Sequence, residues 1–213
     1  MNEAYSEFET MMRRGGAASL AAASRFFMRD DPVYQTLRAI TAKLEQLGIP
    51  YAVAGGMALV AHGYDRTTTD VDILVTPSSL AAIHGGLEGL GYIAPFRGSK
   101  NLRDATTKVK IEFLTTGGFP GDGKPKPVSF PDPVHVSTTI DGISYLNLPT
   151  LVELKLASGI SNAARIKDLG DVVELIKALK LAKDFGEKLN PYVREKFDEL
   201  WDAVRNDPVK DEL

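Results

Sequence analysis

Val33, Leu37, Ile40, Leu44 and Leu47 recur at three- and four-residue spacing and predict a helix over 33–47, closed by Gly48. An apolar run over 50–54 predicts a short strand ending at Gly55-Gly56. A short helix is expected over 57–62, stopped by Gly63. Alternation follows in Asp70-Val71-Asp72-Ile73-Leu74-Val75. As a strand, this run turns Val71, Ile73 and Val75 to a core and puts Asp70 and Asp72 together on the other face. Pro77-Ser78-Ser79 predicts the start of a helix over 80–90, and strands are expected near 92–96, 102–106 and 108–115. In the last, Lys108, Lys110 and Glu112 share one face, with Val109, Ile111 and Phe113 on the other. Residues 117–133 hold much of the glycine and proline and predict a long loop. Residues 134–146 read as a hairpin turning at Asp141-Gly142. Beyond Pro149 the spacing is helical over 150–158, 165–181 and 191–205. The order predicts an α/β (α+β) protein: a mixed β-sheet core flanked by helices, then a C-terminal helical bundle.

Three parts are expected: an N-terminal appendage over 1–32, either a frayed helix or disordered, a core over 33–148, and a helical region over 149–213. The length of 213 residues suits one domain, or a core with a helical extension. With 44% hydrophobic and 25% charged residues the composition is that of a soluble globular protein. No apolar run approaches the ~20 residues that span a bilayer. Residues 17–23 are small rather than strongly apolar, and Arg25 follows closely, unlike a secretory signal core. The absence of cysteine removes disulfides, thiolate catalysis and sulfur-ligated zinc. The expectation is a cytoplasmic protein with no membrane partner. The terminal Lys210-Asp211-Glu212-Leu213 spells an endoplasmic-reticulum retrieval signal, but without an entry signal it reads as the end of a charged helix.

The most informative stretch is the glycine pair followed by Asp70-x-Asp72. Two carboxylates ~4 Å apart repel by ~4 kcal/mol at an effective dielectric of ~20. A hard divalent cation removes that cost. Aspartate is also disfavoured in strands, so two in one β-run call for a reason. A glycine pair at a strand-to-helix turn lets bare backbone approach a phosphate. Phosphate cradle and metal-binding aspartates together read as nucleotide chemistry. By contrast, Gly118-Phe119-Pro120-Gly121-Asp122-Gly123-Lys124 has the spacing of a phosphate-binding P-loop, yet Pro125 stands where Ser or Thr belongs and no helix is expected there. It is rejected.

Gly55-Gly56, thirteen residues, then Asp70-x-Asp72 resembles the signature of the polymerase-β-type nucleotidyltransferases. More narrowly, Arg66, Lys155 in Leu154-Lys155-Leu156, and Arg165-Ile166-Lys167-Asp168-Leu169-Gly170-Asp171 resemble the AbiEii-like nucleotidyltransferases, which include toxins of toxin–antitoxin pairs. The resemblance spans roughly residues 33 to 180. It implies a nucleotidyltransferase fold and transfer of a nucleoside monophosphate from a nucleoside triphosphate (NTP) to a hydroxyl acceptor. It implies that Asp70, Asp72 and Glu112 hold Mg²⁺ or Mn²⁺, with catalysis by these three and Lys155. It also implies nucleotide binding by Gly55, Gly56, Arg66, Lys155 and Asp168. An RNA or tRNA acceptor and an antitoxin partner are further implications. The third carboxylate is Glu where Asp is commoner, which reaches further and alters metal geometry. Two alternatives are a small-molecule enzyme of aminoglycoside-modifying type and a non-catalytic nucleotide-binding module.

Each residue has a plainer reading. Glu112 is a metal ligand, a general base, or merely the ion-pair partner of Lys110. Lys155 lies on a helix apolar nearly all round and so wants an anion. That anion is either a triphosphate or Asp168 or Asp171, and the resemblance favours the first. Asp168 and Asp171 share a helix face as catalytic groups or as a salt-bridge cluster. Arg66 contacts a phosphate or braces the aspartate strand, and Thr67, Thr68 and Thr69 offer hydroxyls nearby. His62, His84 and His135 show no ligand spacing, and Trp201 with Phe197 and Val204 reads as core. The net charge is −3, but residues 95–127 carry seven cations against three acids. That excess either guides a polyanion or is a solvated edge.

Overall fold

The computed structural model describes residues 10, 11, 13, 16–27 and 29–206, so the acidic N-terminal start and the Lys-Asp-Glu-Leu end lie outside the described residues. Helix α1 spans Gly16–Phe27 and α2 spans Pro32–Gln46. Asp31 begins α2: its Oδ1 accepts from the backbone N–H of Val33 at 2.7 Å and of Tyr34 at 3.4 Å, and Pro32 supplies a first-turn φ. Val33, Leu37, Ile40 and Leu44 are buried as the spacing predicts. Leu47 is 46% exposed, because it is the cap residue beyond the last turn and Gly48 (φ +64°) turns the chain away. The expected appendage is helical over α1, where Phe26 is fully buried with its ring 5.2 Å from that of Tyr34.

Strand β1 (Ala52–Val53), α3 (Gly55–Ala61), β2 (Asp70–Val75), α4 (Pro77–Leu87), β3 (Tyr92–Ile93), β4 (Leu102–Asp104) and β5 (Lys110–Thr115) follow in order. The expected strand at 102–106 ends early because Asp104 Oδ1 accepts from the N–H groups of Thr106 (2.7 Å) and Thr107 (3.0 Å), closing a turn. Lys108 sits in that turn at φ +62°, so β5 begins two residues later than the alternation predicts. Pro133–Val136 forms a short helix α5 rather than strand, with Asp132 accepting from Val134 N–H. The hairpin β6 (Ser137–Ile140) and β7 (Ile143–Leu146) turns at Asp141 (φ +49°) and Gly142 (φ +79°), a two-residue turn whose twist suits antiparallel strands.

The seven strands form one mixed sheet in the order β3-β4-β5-β2-β1-β7-β6. Its centre is the parallel pair β2–β5, in which Asp72 faces Glu112 and Asp70 faces Lys110. Val71, Ile73 and Val75 are fully buried on one side of β2, while Asp70 and Asp72 are half-buried on the other. The expected mixed sheet with flanking helices is thus present.

Helices α6 (Leu148–Ser161), α7 (Ile166–Ala178) and α8 (Pro191–Arg205) pack on one another. Asn147 caps α6, its Oδ1 accepting from Thr150 N–H, and α7 ends before Leu179 and Lys180 (φ +50°). Phe197 and Val204 are buried as predicted, and Trp201 Nε1 donates to Leu181 O at 2.8 Å. At Gly159 a Cβ would stand 2.5 Å from Leu169 Cγ, so glycine sets how closely α6 and α7 approach. Among the described residues no helix is long and apolar enough to cross a membrane.

Candidate active site

The carboxylates of Asp70, Asp72 and Glu112 converge because β2 and β5 run parallel in register, which puts all three on one sheet face. One oxygen from each lies within 4.8 Å of the others, and among the described residues this is the group of acids placed to hold a cation. The crowding has an electrostatic cost. Burial first, then the charges of Asp70 and Glu112, pushes the Asp72 carboxyl up to about 7, against the lesser pull of Lys155 and Lys110. A cluster of hard oxygen donors whose repulsion the two lysines only partly offset fits a divalent cation.

The glycine pair is built into the cluster. Gly55 has φ +57°, and a Cβ there would lie 1.7 Å from Asp72 Oδ2, so no other residue leaves the carboxylate in place. At Gly56 a Cβ would stand 2.6 Å from Thr68 Cβ. Thr68 is buried and its hydroxyl donates to Asp70 Oδ1 at 2.9 Å, so of the three threonines this one orients a candidate ligand. Lys110 Nζ donates to Glu112 Oε2 at 2.5 Å. Burial works against its charge, yet the Glu112 hydrogen bond and surrounding acids outweigh that and raise its pKa.

Across the cleft, Lys155 lies between two aspartates, its Nζ 2.9 Å from Asp168 Oδ1 and 2.7 Å from Asp171 Oδ2. Arg66 Nη1 donates to both Asp171 oxygens, at 2.7 and 2.8 Å. Burial raises Asp168, but the Lys155 charge and the Ser158 hydroxyl (2.6 Å) outweigh it and hold its carboxyl below the usual range. The salt-bridge readings of Lys155, Asp168, Asp171 and Arg66 are therefore realised. They do not remove the cluster from the cleft, because all four line the same cavity as the carboxylate trio. Lys155 is not on the far side of the bundle: it shares an α6 face with Gly159, the face turned to α7.

This cavity encloses about 410 Å³. Its remaining wall comes from the loop after β5, through Phe119, Pro120, Gly121 and Phe130, a contribution that no periodicity signals. The loop is pinned: Lys126 Nζ donates to Pro120 O at 2.6 Å, and at Gly121 (φ +77°) a Cβ would meet Ser158 O at 2.6 Å. It leads into no helix until α5, which agrees with rejecting the P-loop match. Ser158 is the other participant that the sequence left without a role, whereas Lys110 makes the ion pair with Glu112 that the plainer reading named. His62 Nε2 lies 2.7 Å from Leu146 O.

A mixed seven-stranded sheet, helices on its flanks and an acidic trio at its centre define an α/β nucleotidyltransferase fold. The solution structure of the antibiotic-resistance factor ANT(2'')-Ia matches over 80% of this chain and 94% of its own, at 14% identity and a TM-score of 0.50. The crystal structure of ANT(2'')-Ia with adenylyl-2''-tobramycin matches over 80% and 95%, at 12% identity and 0.49. An antigenic nucleotidyltransferase-like protein from Paracoccidioides brasiliensis matches over 80% and 91%, at 15% identity and 0.47. At these identities the likeness is one of fold alone. No protein-family model matches the chain, and no curated protein does.

Proposed function

We propose that this protein is a metal-dependent nucleotidyltransferase that moves a nucleoside monophosphate from an NTP to a hydroxyl acceptor. The observation that carries this reading is the trio Asp70, Asp72 and Glu112, with oxygens within 4.8 Å, beside a glycine turn that only a missing Cβ keeps open. Bound by these carboxylates, Mg²⁺ or Mn²⁺ supplies charge neutralisation at the phosphoryl oxygens. Gly55 and Gly56 leave backbone bare for the phosphates, and Arg66 stands at the same cavity. The acceptor oxygen bonds to the α-phosphorus, the bond from that phosphorus to the β-bridging oxygen breaks, and pyrophosphate leaves with the electron pair. The hydroxyl proton passes to Glu112. Lys155 has three N–H donors, two of them engaged by Asp168 and Asp171, and the third offsets charge on the leaving pyrophosphate. Asp168 acts through Lys155, as a nucleotide-site residue that fixes the ammonium. On this reading the cleft separates a core over 33–148 from a helical region over 149–213, with 1–32 an appendage.

The acceptor we favour is RNA, with a tRNA end the leading candidate. The support is the exposed Lys100 and Lys167, which rim the cavity, and the cationic stretch around β5. This agrees with the AbiEii-like resemblance and extends it to a cytoplasmic toxin neutralised by an antitoxin. A small cationic acceptor is the second reading, favoured by the net charge of −3 and by the ANT(2'')-Ia likeness in fold. The test supplies each labelled NTP with Mg²⁺, total RNA and small acceptors, and reads label transfer and pyrophosphate. Transfer that Asp70→Ala and Asp72→Ala abolish is expected, and activity surviving the double substitution overturns the reading. Growth arrest on expression, lost in Asp72→Ala, is the expected mark of a toxin.

A further inference from the structure

A row of side chains runs from the carboxylate trio to the edge of the sheet. Asp70 pairs with Lys110, Lys110 with Arg103 and Arg103 with Ile93, so all four stand on the face that carries the trio. Tyr92, Leu102, Asp104 and Ile111 are buried on the opposite face. The outer end of the row is open: Ile93 is 52% exposed, and Phe96, where the chain turns after β3, is 67% exposed. That turn is pinned. Ser99 N–H donates to Phe96 O at 3.0 Å, Gly98 takes φ +82°, and Asn101 Oδ1 accepts from Phe113 N–H of β5 at 3.2 Å. An exposed apolar side chain is ordinary by itself. The charge around this one is not. Over residues 93–110 the five cations Arg97, Lys100, Arg103, Lys108 and Lys110 stand against one acid, Asp104, which is buried and engaged by the N–H groups of its own turn. Lys100 continues the cationic run into the active-site cavity.

We propose that this half of the sheet is the track for an unpaired RNA acceptor strand: phosphates lie along Arg97 and Lys100, a base stacks on Phe96, and the acceptor hydroxyl meets Glu112 from the β4 side. This rests on the RNA reading above and deepens it, since that reading names neither the form of the RNA nor the surface that holds it. An aromatic ring among cations suits a single strand, whose bases have open faces, whereas a duplex keeps its base faces stacked inside. A protein partner fits less well, because lysine is depleted in protein interfaces and three of the five cations are lysines. Phe96 is a positioning residue on this account, since it holds the strand and touches no reacting atom.

The test reads binding and does not depend on turnover. Full-length protein in EDTA is titrated into fluorescein-labelled oligouridylate, alone or annealed to oligoadenylate, and anisotropy gives each Kd. Stacking tolerates any base, so a plain oligomer serves as the probe. The wild type is expected to bind the single strand more tightly than the duplex. Phe96→Ala is expected to weaken the single strand about fivefold or more and to leave the duplex unchanged, while Phe96→Tyr keeps the stacking face and the affinity. Arg97→Glu is expected to weaken both forms, because both carry phosphates. Unchanged single-strand binding in Phe96→Ala or Arg97→Glu overturns the proposal, and so does an equal loss of both forms in Phe96→Ala. Failure of either form to bind the wild type, with Mn²⁺-dependent binding of α,β-methylene NTPs intact, overturns the track and the RNA acceptor, assigns this face to a protein and leaves nucleotidyl transfer standing. Failure of the NTP analogues to bind as well overturns both readings together.

Discussion

Asp72→Asn in the metal-free protein isolates the electrostatic cost at the centre of the site. The Asp72 carboxyl is pushed from 3.8 to about 7, first by burial and then by Asp70 and Glu112. A carboxyl whose folded pKa is raised favours the fold when protonated. Its stabilisation is complete below the unfolded value and is lost as pH rises toward the folded one. A rise of roughly 3 units at about 1.36 kcal/mol each sets a ceiling of about 4 kcal/mol above pH 7. The amide never ionises, so it escapes this cost, although it also loses carboxylate contacts. In EDTA at pH 8 the variant is therefore expected to be about 2–4 kcal/mol more stable than the wild type. At about 2–4 °C per kcal/mol for a chain of this size, the melting temperature rises by roughly 4–16 °C. The advantage shrinks as pH falls and drops below about 1 kcal/mol by pH 4, near the unfolded value, where the folded carboxyl is protonated and the unfolded one is about half ionised. Mg²⁺ at ten times its Kd should then stabilise the wild type by about 1.4 kcal/mol and leave the variant unmoved. Thermal melts from pH 4 to 8, with EDTA or Mg²⁺, measure all of this. A variant no more stable than the wild type at pH 8, or a difference independent of pH, refutes the reasoning.

Gly55→Ala places a methyl group where Asp72 Oδ2 now lies 1.7 Å away, in a left-handed conformation that costs about 1–2 kcal/mol for an L-residue. The expected result is a folded protein whose Mn²⁺ affinity falls more than about tenfold, a factor worth about 1.4 kcal/mol; calorimetry showing unchanged affinity counts against the cradle. Asp171→Asn leaves Arg66 and Lys155 facing a neutral amide at a position whose side chain is only 4% exposed, and breaking such a buried pair costs about 3–5 kcal/mol. Denaturant unfolding should show this loss, and Asp168→Asn, at a site 14% exposed, should lose less.

Local pattern alone determined the chemistry of β2. Asp70 and Asp72 share a face because a strand has a two-residue period, and Val71, Ile73 and Val75 are buried for the same reason. The glycine turn, the Asp141-Gly142 hairpin and the α2 stripe were legible because each depends on neighbours within a few residues. Strand ends were less so: Asp104 stops β4 with a side-chain turn that competes with the ladder, and alternation does not register such competition. The register of β2 on β5 was not legible at all, yet it puts Glu112 rather than Lys110 opposite Asp72 and so makes a trio of a pair. Nor were the ion pairs of Lys155 with Asp168 and Asp171, which depend on the packing of α6 on α7 at Gly159 and Leu169. A sequence fixes which side chains alternate and where the backbone bends, since these follow from dihedral preferences. Which charge meets which across 40 or 100 residues depends on the packing of distant elements, and only the tertiary structure decided that.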